Sequence, residues 1–313
     1  MVSYILRRMI SAIAVMAMVG IFVFLLIRLA PGDPAAVMAG RNATEEIIAG
    51  IREQLGLNEP LPVQFIHWLS AMLHGDFGTS IFSGRPVLEL LLQRLGPTVS
   101  LSILTLAISV CVGVYFGILA AWRAGGIVDR LLSVFSAFGY SVPVFVIGYF
   151  LVYLLAISAK WLPVQGYAPI EVGVGDWLAH LILPTIALSL PYIAFVARVT
   201  RASMLEILSE DYMRTAAAKG ASPYAMLFHH ALKNAGVPIL TVIGLSFAYL
   251  IGGVVLTETV FNIPGVGRLV VDAINTRDYP IIQSMLILTS GLYVLINLAV
   301  DLAYTLIDPR IRY

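Results

Sequence analysis

Apolar residues in this chain do not alternate with polar ones. They run on for about twenty positions at a time, between short polar breaks. Six runs stand out: Met9–Leu29, Thr98–Ala121, Leu131–Ser158, Leu181–Ala197, Gly236–Glu258 and Ser284–Ile307. A helix rising 1.5 Å per residue crosses a hydrocarbon core of about 30 Å within such a run, the fourth only just. A backbone in lipid must satisfy its own hydrogen bonds, and long unbroken apolar runs do so as helices. The pattern predicts an all-α membrane protein with six transmembrane helices. Pro143, Pro184, Pro191 and Pro238 lie in or at the third to fifth runs. Each removes a backbone donor and can bend a helix, which suits a pathway that changes access, although membrane helices tolerate proline generally.

The polar breaks carry their own patterns. Residues 31–97 form the largest one. Within it a helix is predicted over Asn42–Leu55, with Asn42 as cap, Glu45 at the capping-box position and Gly56 ending it. Ile47, Ile48, Ile51 and Leu55 fall on one face of that helix. Asn42-Ala43-Thr44 also matches a glycosylation sequon, but the cap is the preferred reading. A second amphipathic stretch, Val63–Leu73, carries Trp68 and suits a membrane interface. In the second half the longest polar break is Ser209–Pro238. It reads as two short helices joined by Gly220. Ser209 is the expected N-cap of the first, with Glu210 and Asp211 in its first turn, where the helix dipole favours negative charge. Met213–Lys219 is rich in alanine, a strong helix former. Gly220 suits the left-handed residue that ends a helix, and Ser222-Pro223 restarts one.

Composition agrees with the span pattern. Of 313 residues, 59% are hydrophobic and 12% charged, against about 25% charged in soluble domains. Mean hydropathy is +0.92. Net charge is +1, so bulk charge does not suggest nucleic-acid binding. Charge placement is more telling. With the N-terminus in the cytoplasm, residues 1–8, 122–130, 198–235 and 308–313 face inward and hold 11 basic residues in 61 positions. The outward segments 31–97, 159–180 and 259–283 hold 7 in 114. That density fits the positive-inside rule, and puts both termini and the 209–235 hairpin in the cytoplasm. The apolar run after Arg7-Arg8 extends from Met9 to Ile27, longer than a signal-peptide core, and no A-x-A site follows it. It reads as a retained anchor.

Candidate chemistry is sparse. No G-x-x-x-x-G-K-[ST] is present, so any ATP-driven work is expected from a partner. His67, His74 and Asp76 are candidate metal ligands, but His67 and His74, seven apart, share a helix face only if helix continues past Leu73; Gly75 and Gly78 argue against that, and interfacial polar residues are the preferred reading. His229 and His230 are adjacent and diverge on a helix. Ser189, Ser246 and Ser284 lack a G-x-S-x-G context. Asp301 is the one carboxylate well inside a span, and its preferred role is a buried polar contact with a neighbouring helix rather than contact with substrate. Cys111 is the single cysteine, set in an apolar run and expected to be an inert core thiol. A secondary transporter working alone would show paired intramembrane ionisable residues or inverted repeats, and neither is found. An intramembrane enzyme lacks a catalytic set.

Several stretches resemble one family. Arg214-Thr-Ala-Ala-Ala-Lys-Gly220 is similar to the EAA loop of binding-protein-dependent ABC importer permeases, whose pattern is Glu-Ala-Ala, three residues, Gly. Arg214 stands at the Glu position, Thr215 and Ala216 at the two Ala positions, and Gly220 matches. Of the family's later Ile-x-Leu-Pro only Leu232 is kept. These departures are typical of the dipeptide/oligopeptide/nickel branch, and the resemblance covers nearly the whole chain. Residues 30–34 (APGDP), 75–78 (GDFG), 209–212 (SEDY), 256–258 (LTE), 264–268 (PGVGR), 277–280 (RDYP) and 308–312 (DPRIR) all resemble that branch, specifically the first of its two paired permeases.

The resemblance implies a type I ABC importer permease fold in the plasma (inner) membrane of a bacterium or archaeon. Residues 1–30 would form an anchor helix, 31–94 an extracytoplasmic loop, 95–306 the permease core with its coupling loop at 209–235, and 307–313 a cytoplasmic tail. It implies a second homologous permease, two ATP-binding subunits that hold ATP and Mg, and an extracytoplasmic solute-binding protein. The coupling loop would dock on an ATPase through Glu210, Asp211, Arg214, Thr215, Ala216, Gly220 and Leu232. Small peptides are the first expectation for cargo, with nickel, glutathione and opine-type solutes as alternatives. No metal or cofactor is expected in this chain.

Overall fold

The computed structural model describes residues 2–29, 34–39, 44–54 and 56–307. The expected cap Asn42, most of the 30–34 motif, Leu55 and the 308–312 motif lie outside the described residues. Among the described residues the regular structure is helical, apart from one isolated antiparallel bridge between Thr79 and Pro86. Five helices are long and apolar enough to cross a membrane, and a bent pair makes a sixth if its halves are counted together. The chain divides into two compact units, residues 1–95 with 269–294, and residues 96–268 with 295–313.

The first unit is built on α1 (Val2–Leu29), with short helices α2 (Pro34–Ala39) and α3 (Glu45–Gln54) and then α4 (Leu61–Leu73). Trp68 of α4 meets α1. Phe24 stands edge-on to Phe65 at 5.2 Å, with Trp68 5.7 Å away. One turn on, the Arg28 guanidinium lies 3.5 Å over the Phe24 ring and donates through Nε and Nη2 to Gln64 Oε1. Gln64 is buried and donates in turn to the carbonyls of Leu57 and Glu59. The stem of an arginine and one amide thus lock α4 across the end of α1. Gly75 and Gly78 have φ of +82° and +77°, so helix stops at Leu73. His74, Asp76 and His67 then make local contacts: His74 with the Ser70 carbonyl, Asp76 with Gly78 N–H, and His67 with Glu59 at 3.2 Å.

The GDFG and RDYP stretches, some two hundred residues apart in sequence, meet in this unit. Asp278 is buried and accepts from Ser80 Oγ at 2.5 Å and from the N–H groups of Ile81 and Phe82. Ser284 donates to the Phe77 carbonyl, and Gly78 abuts Pro280. One carboxylate therefore satisfies the turn that carries the chain into α5 (Val87–Trp122).

The second unit holds most of α5, the pair α6 (Ile127–Ser141) and α7 (Val144–Leu151), α8 (Val174–Leu208), α9 (Asp211–Ala218), α10 (Leu232–Asn234) and α11 (Gly236–Val260). Helices α12 (Val266–Thr276) and α13 (Tyr279–Ile307) each begin in one unit and end in the other. The third run, Leu131–Ser158, forms a bent pair rather than one straight helix, at one of the prolines expected to bend it. Its two halves meet at 100°, with Val142 extended and Pro143 opening α7. Proline disfavours the α conformation in the residue before it, which places the break there. By contrast Pro184 and Pro191 sit inside an unbroken α8, and Pro238 lies in the first turn of α11. Cys111, expected in a core, lies on an exposed face of α5.

Close packing of α5 on α8 depends on small residues. A side chain at Gly113 would meet Val196, and one at Gly117 would meet Thr200 and the Ala197 carbonyl. Gly139 of α6 faces Ala194, and Gly253 of α11 faces Leu188 and Tyr192. Apolar association is weak in lipid, so backbones that approach closely at such positions gain dispersion contact instead. The resulting core includes Leu101, Leu181, Leu183, Ala187, Leu188, Leu250 and Ile263, all buried.

Candidate functional site

At one end of the second unit α8 runs directly into a helical hairpin. Ser209 is not the N-cap of the first hairpin helix, as expected from the sequence. It is the C-cap of α8, and its Oγ donates to the Glu206 carbonyl. The polar residues Arg198, Arg201 and Glu206 mark the end of the apolar run, but helix continues through them. Glu210, in extended conformation, takes the cap position of α9 instead, and Asp211 opens the first turn. Only one extended residue separates the two helices.

The far end of α9 follows the sequence reading. Gly220 has φ +83°. Its N–H bonds the Ala217 carbonyl, and Ala221 N–H reaches back to Ala216. These two bonds form a Schellman motif, which glycine closes without steric cost. Ser222 Oγ then accepts from Ala225 N–H, as the restart requires. The second arm is α-helical at its start, widens into a π-helical segment, Ala225–Ala231, and closes with α10. The wide turn was not legible in residue spacing.

The hairpin has one buried and one exposed face. Met213, Leu227, Ala231 and Ala235 pack with Ile118 and Ala121 of α5, Met204 of α8 and Ile239 of α11. Leu232 is partly buried against this cluster. Asn234 bridges the arms through Tyr212 Oη at 3.0 Å. Glu210, Asp211, Arg214, Thr215 and Gly220 are exposed, and Ala216 is half-buried. Arg214 lies 3.4 Å from Asp211 on this open face, a surface pair of small energetic weight. Thr215 Oγ1 bonds back to the Asp211 carbonyl. Tyr224 and Phe228 stack at 4.7 Å, and both are exposed. Neither ring belongs to a motif named above, though their i, i+4 spacing is a signal. The exposed side of the hairpin thus offers aromatic and charged groups on a backbone fixed at both ends.

At the opposite end of α11 lies a second cluster, centred on Glu258, which the sequence places at a span end and in the LTE motif without showing its partners. Glu258 is fully buried. Its carboxylate accepts from Thr98 Oγ1 at 2.5 Å and from Arg268 N–H at 3.0 Å, while Thr98 Oγ1 accepts from Val266 N–H at 2.8 Å. A Cβ at Gly265 would fall on this carboxyl group, and one at Gly267 would meet both Glu258 and the Val255 backbone. The loop from Phe261 to Gly267 is folded around the acid, with Arg268 reaching Asn262 Oδ1 at its rim. The PGVG sequence reads from this geometry: the glycines make room for the carboxylate.

These features define a polytopic α-helical membrane protein with a capped hairpin projecting from its helices. The arrangement resembles one chain of the MetNI methionine ABC transporter in an inward-facing form, with a TM-score of 0.56 at 18% identity, over 70% of this chain and 96% of that one. That likeness bears on the fold alone. Residues 113–313 match the family described as binding-protein-dependent transport system inner membrane component, and residues 1–102 match its N-terminal counterpart. The chain belongs to this family and is a permease subunit of an ABC importer of the dipeptide/oligopeptide branch. It is 76% identical, over 99% of both chains, to the probable peptide ABC transporter permease protein y4tP of Sinorhizobium fredii. It is 43% identical over the full length of both chains to the glutathione transport system permease protein GsiC of Salmonella typhimurium.

Proposed function

We propose that this chain forms half of the translocation pathway of an ATP-driven importer for small peptides, with the hairpin as its site of contact with the motor. The observation that carries the reading is the joint between α8 and α9. Any push on the exposed side of the hairpin passes into a 35-residue helix without a slack linker. The second half of the pathway is a homologous permease, and two ATP-binding subunits hold ATP and Mg in the cytoplasm. An extracytoplasmic binding protein delivers cargo. The distribution of Lys and Arg supports placing both termini and the hairpin in the cytoplasm.

Within the hairpin, Gly220 sets the turn, and Leu232 seats the second arm. Glu210, Asp211, Arg214 and Thr215 meet the ATPase surface, with Ala216 allowing close approach. Arg214 stands where the wider family has Glu, so the facing ATPase cleft complements a positive charge. The Tyr224–Phe228 pair supplies apolar area to the same contact.

Peptide cargo rests on the name of the 76% identical relative. Glutathione, itself a small peptide, is a second reading favoured by the full-length match to glutathione permeases. Equilibrium binding of trialanine and glutathione to the cognate binding protein separates them, followed by uptake in proteoliposomes. Binding of neither, with tight binding of a metal ion or an opine, would overturn the peptide reading. The purified chain is expected to show no ATP turnover alone and to co-purify with its ATPase subunits. Turnover by the isolated chain, or its isolation without any ATPase under mild detergent, would contradict the assignment.

A further inference from the structure

We infer that Asp129 and Arg201 are positioning residues for coupling: their ion pair carries displacement of the hairpin from α8 into the bent pair α6–α7. This rests on the hairpin being the contact with the motor. Arg201 lies on α8 eight positions before Ser209, about 12 Å along the helix from the hairpin joint. Its Nε and Nη2 both reach the Asp129 carboxylate, the second at 2.8 Å. A two-pronged guanidinium contact fixes direction as well as distance.

The carboxylate does more than pair. Asp129 Oδ2 also accepts Gly125 N–H at 2.8 Å. Gly125 has φ +78°, and Gly126 N–H bonds the Arg123 carbonyl, so this contact closes the tight turn between α5 and α6. Asp129 stands in the first turn of α6, where the helix dipole favours its charge. It is buried, with 6% of its surface exposed, while the nearby Arg123 and Arg130 are exposed. One carboxylate therefore joins three parts: the α5–α6 turn, the start of α6, and α8 near the hairpin.

Beyond that tie, α6 and α8 meet through an unusually close contact. Gly139 faces Ala194, and Leu132 packs with Ala197 and Ala120. Two turns of α6 separate Leu132 from Gly139, and α6 ends at the 100° break before α7. With the inner end pinned by charge and the middle by small residues, α6 cannot slide on α8 and must follow it. The break at Val142-Pro143 then turns that motion into a change in the direction of α7.

The test uses the complete transporter in proteoliposomes with its binding protein. It measures uptake of trialanine or glutathione, whichever the unsubstituted complex takes up, against ATP hydrolysed. Asp129→Asn and Arg201→Gln are expected to keep ATPase subunits bound and hydrolysing, while uptake per ATP falls about tenfold. Exchanging the two charges in one chain, Asp129→Arg with Arg201→Asp, is expected to recover part of that ratio. Where a single variant does not assemble, Arg201→Lys decides: it keeps the charge but not the two-pronged contact, and its ratio is expected to fall several-fold. Uptake and hydrolysis falling in equal proportion, or an unchanged ratio in an assembled variant, would overturn the inference. Failure of the hairpin reading looks different, since Gly220→Val would then leave ATPase attachment and uptake untouched.

Discussion

Replacing Gly220 with valine is expected to abolish uptake while leaving the chain inserted in the membrane. Gly220 holds φ +83° at the Schellman turn between the hairpin arms. A β-branched residue there pays roughly 1–2 kcal/mol or more for the left-handed conformation, and relieves it by reopening the turn. The buried side of the hairpin, with Met213 and Leu227, stays anchored, so the disturbance concentrates at the exposed tip. In the single chain nothing lies within 4 Å of a Cβ placed on Gly220. The need for glycine within the chain is thus one of backbone angle, not of space. Gly220→Asn, which tolerates the left-handed region, is therefore expected to keep uptake within about threefold of the parent. Uptake in proteoliposomes containing the partner subunits reads both variants. Full uptake in Gly220→Val would remove the hairpin from the mechanism. Loss in Gly220→Asn as well would show that the ATPase itself comes too close to admit a side chain.

The second large effect is expected at Glu258. Replacing it with alanine removes the acceptor of the Thr98 hydroxyl and of Arg268 N–H, two part-buried hydrogen bonds to a fully buried acid. At about 1–3 kcal/mol for each lost bond to the acid, the loss is roughly 2–6 kcal/mol, before counting the cavity. Thermal unfolding of the purified chain in detergent should show a clearly lowered Tm. Gly265→Ala should act in the same direction by a different route, because its methyl group would occupy the carboxyl's place. Glu258→Gln is expected to be milder, since an amide keeps one acceptor and turns its NH₂ toward only one of the two donors. An unchanged Tm in both Glu258→Ala and Gly265→Ala would mean that the loop does not depend on the acid.

Much of this architecture was legible as runs of apolar residues, and for a simple reason. A helix in lipid needs about twenty of them, and soluble helices rarely have so many. What the runs could not show was where helix continues after lipid ends. The fourth span was expected over Leu181–Ala197, but α8 extends over Val174–Leu208 because polar residues such as Arg198 and Glu206 are good helix formers too. The same effect moved Ser209 from the start of one helix to the end of another. In α5 the helix begins at Val87, ahead of the expected Thr98, and passes through Pro97. The hairpin turn was read correctly because its signal is local: a glycine where φ must be positive, then Ser-Pro. Glu258 and Asp278 were seen only as parts of motifs. Their partners, Thr98 and Ser80, are more than 150 positions away, and no local spacing reports that meeting.

The joint at Ser209–Glu210 has one more consequence, for the evolution of the chain. A helix turns 100° per residue. One residue gained or lost in α8 between Arg201 and Ser209 would swing the whole hairpin by that angle about the helix axis, presenting the wrong side to whatever docks there. Loops between membrane spans usually absorb length changes freely. This segment cannot, so length variants that arise here should be purged even when every residue that touches a partner is retained.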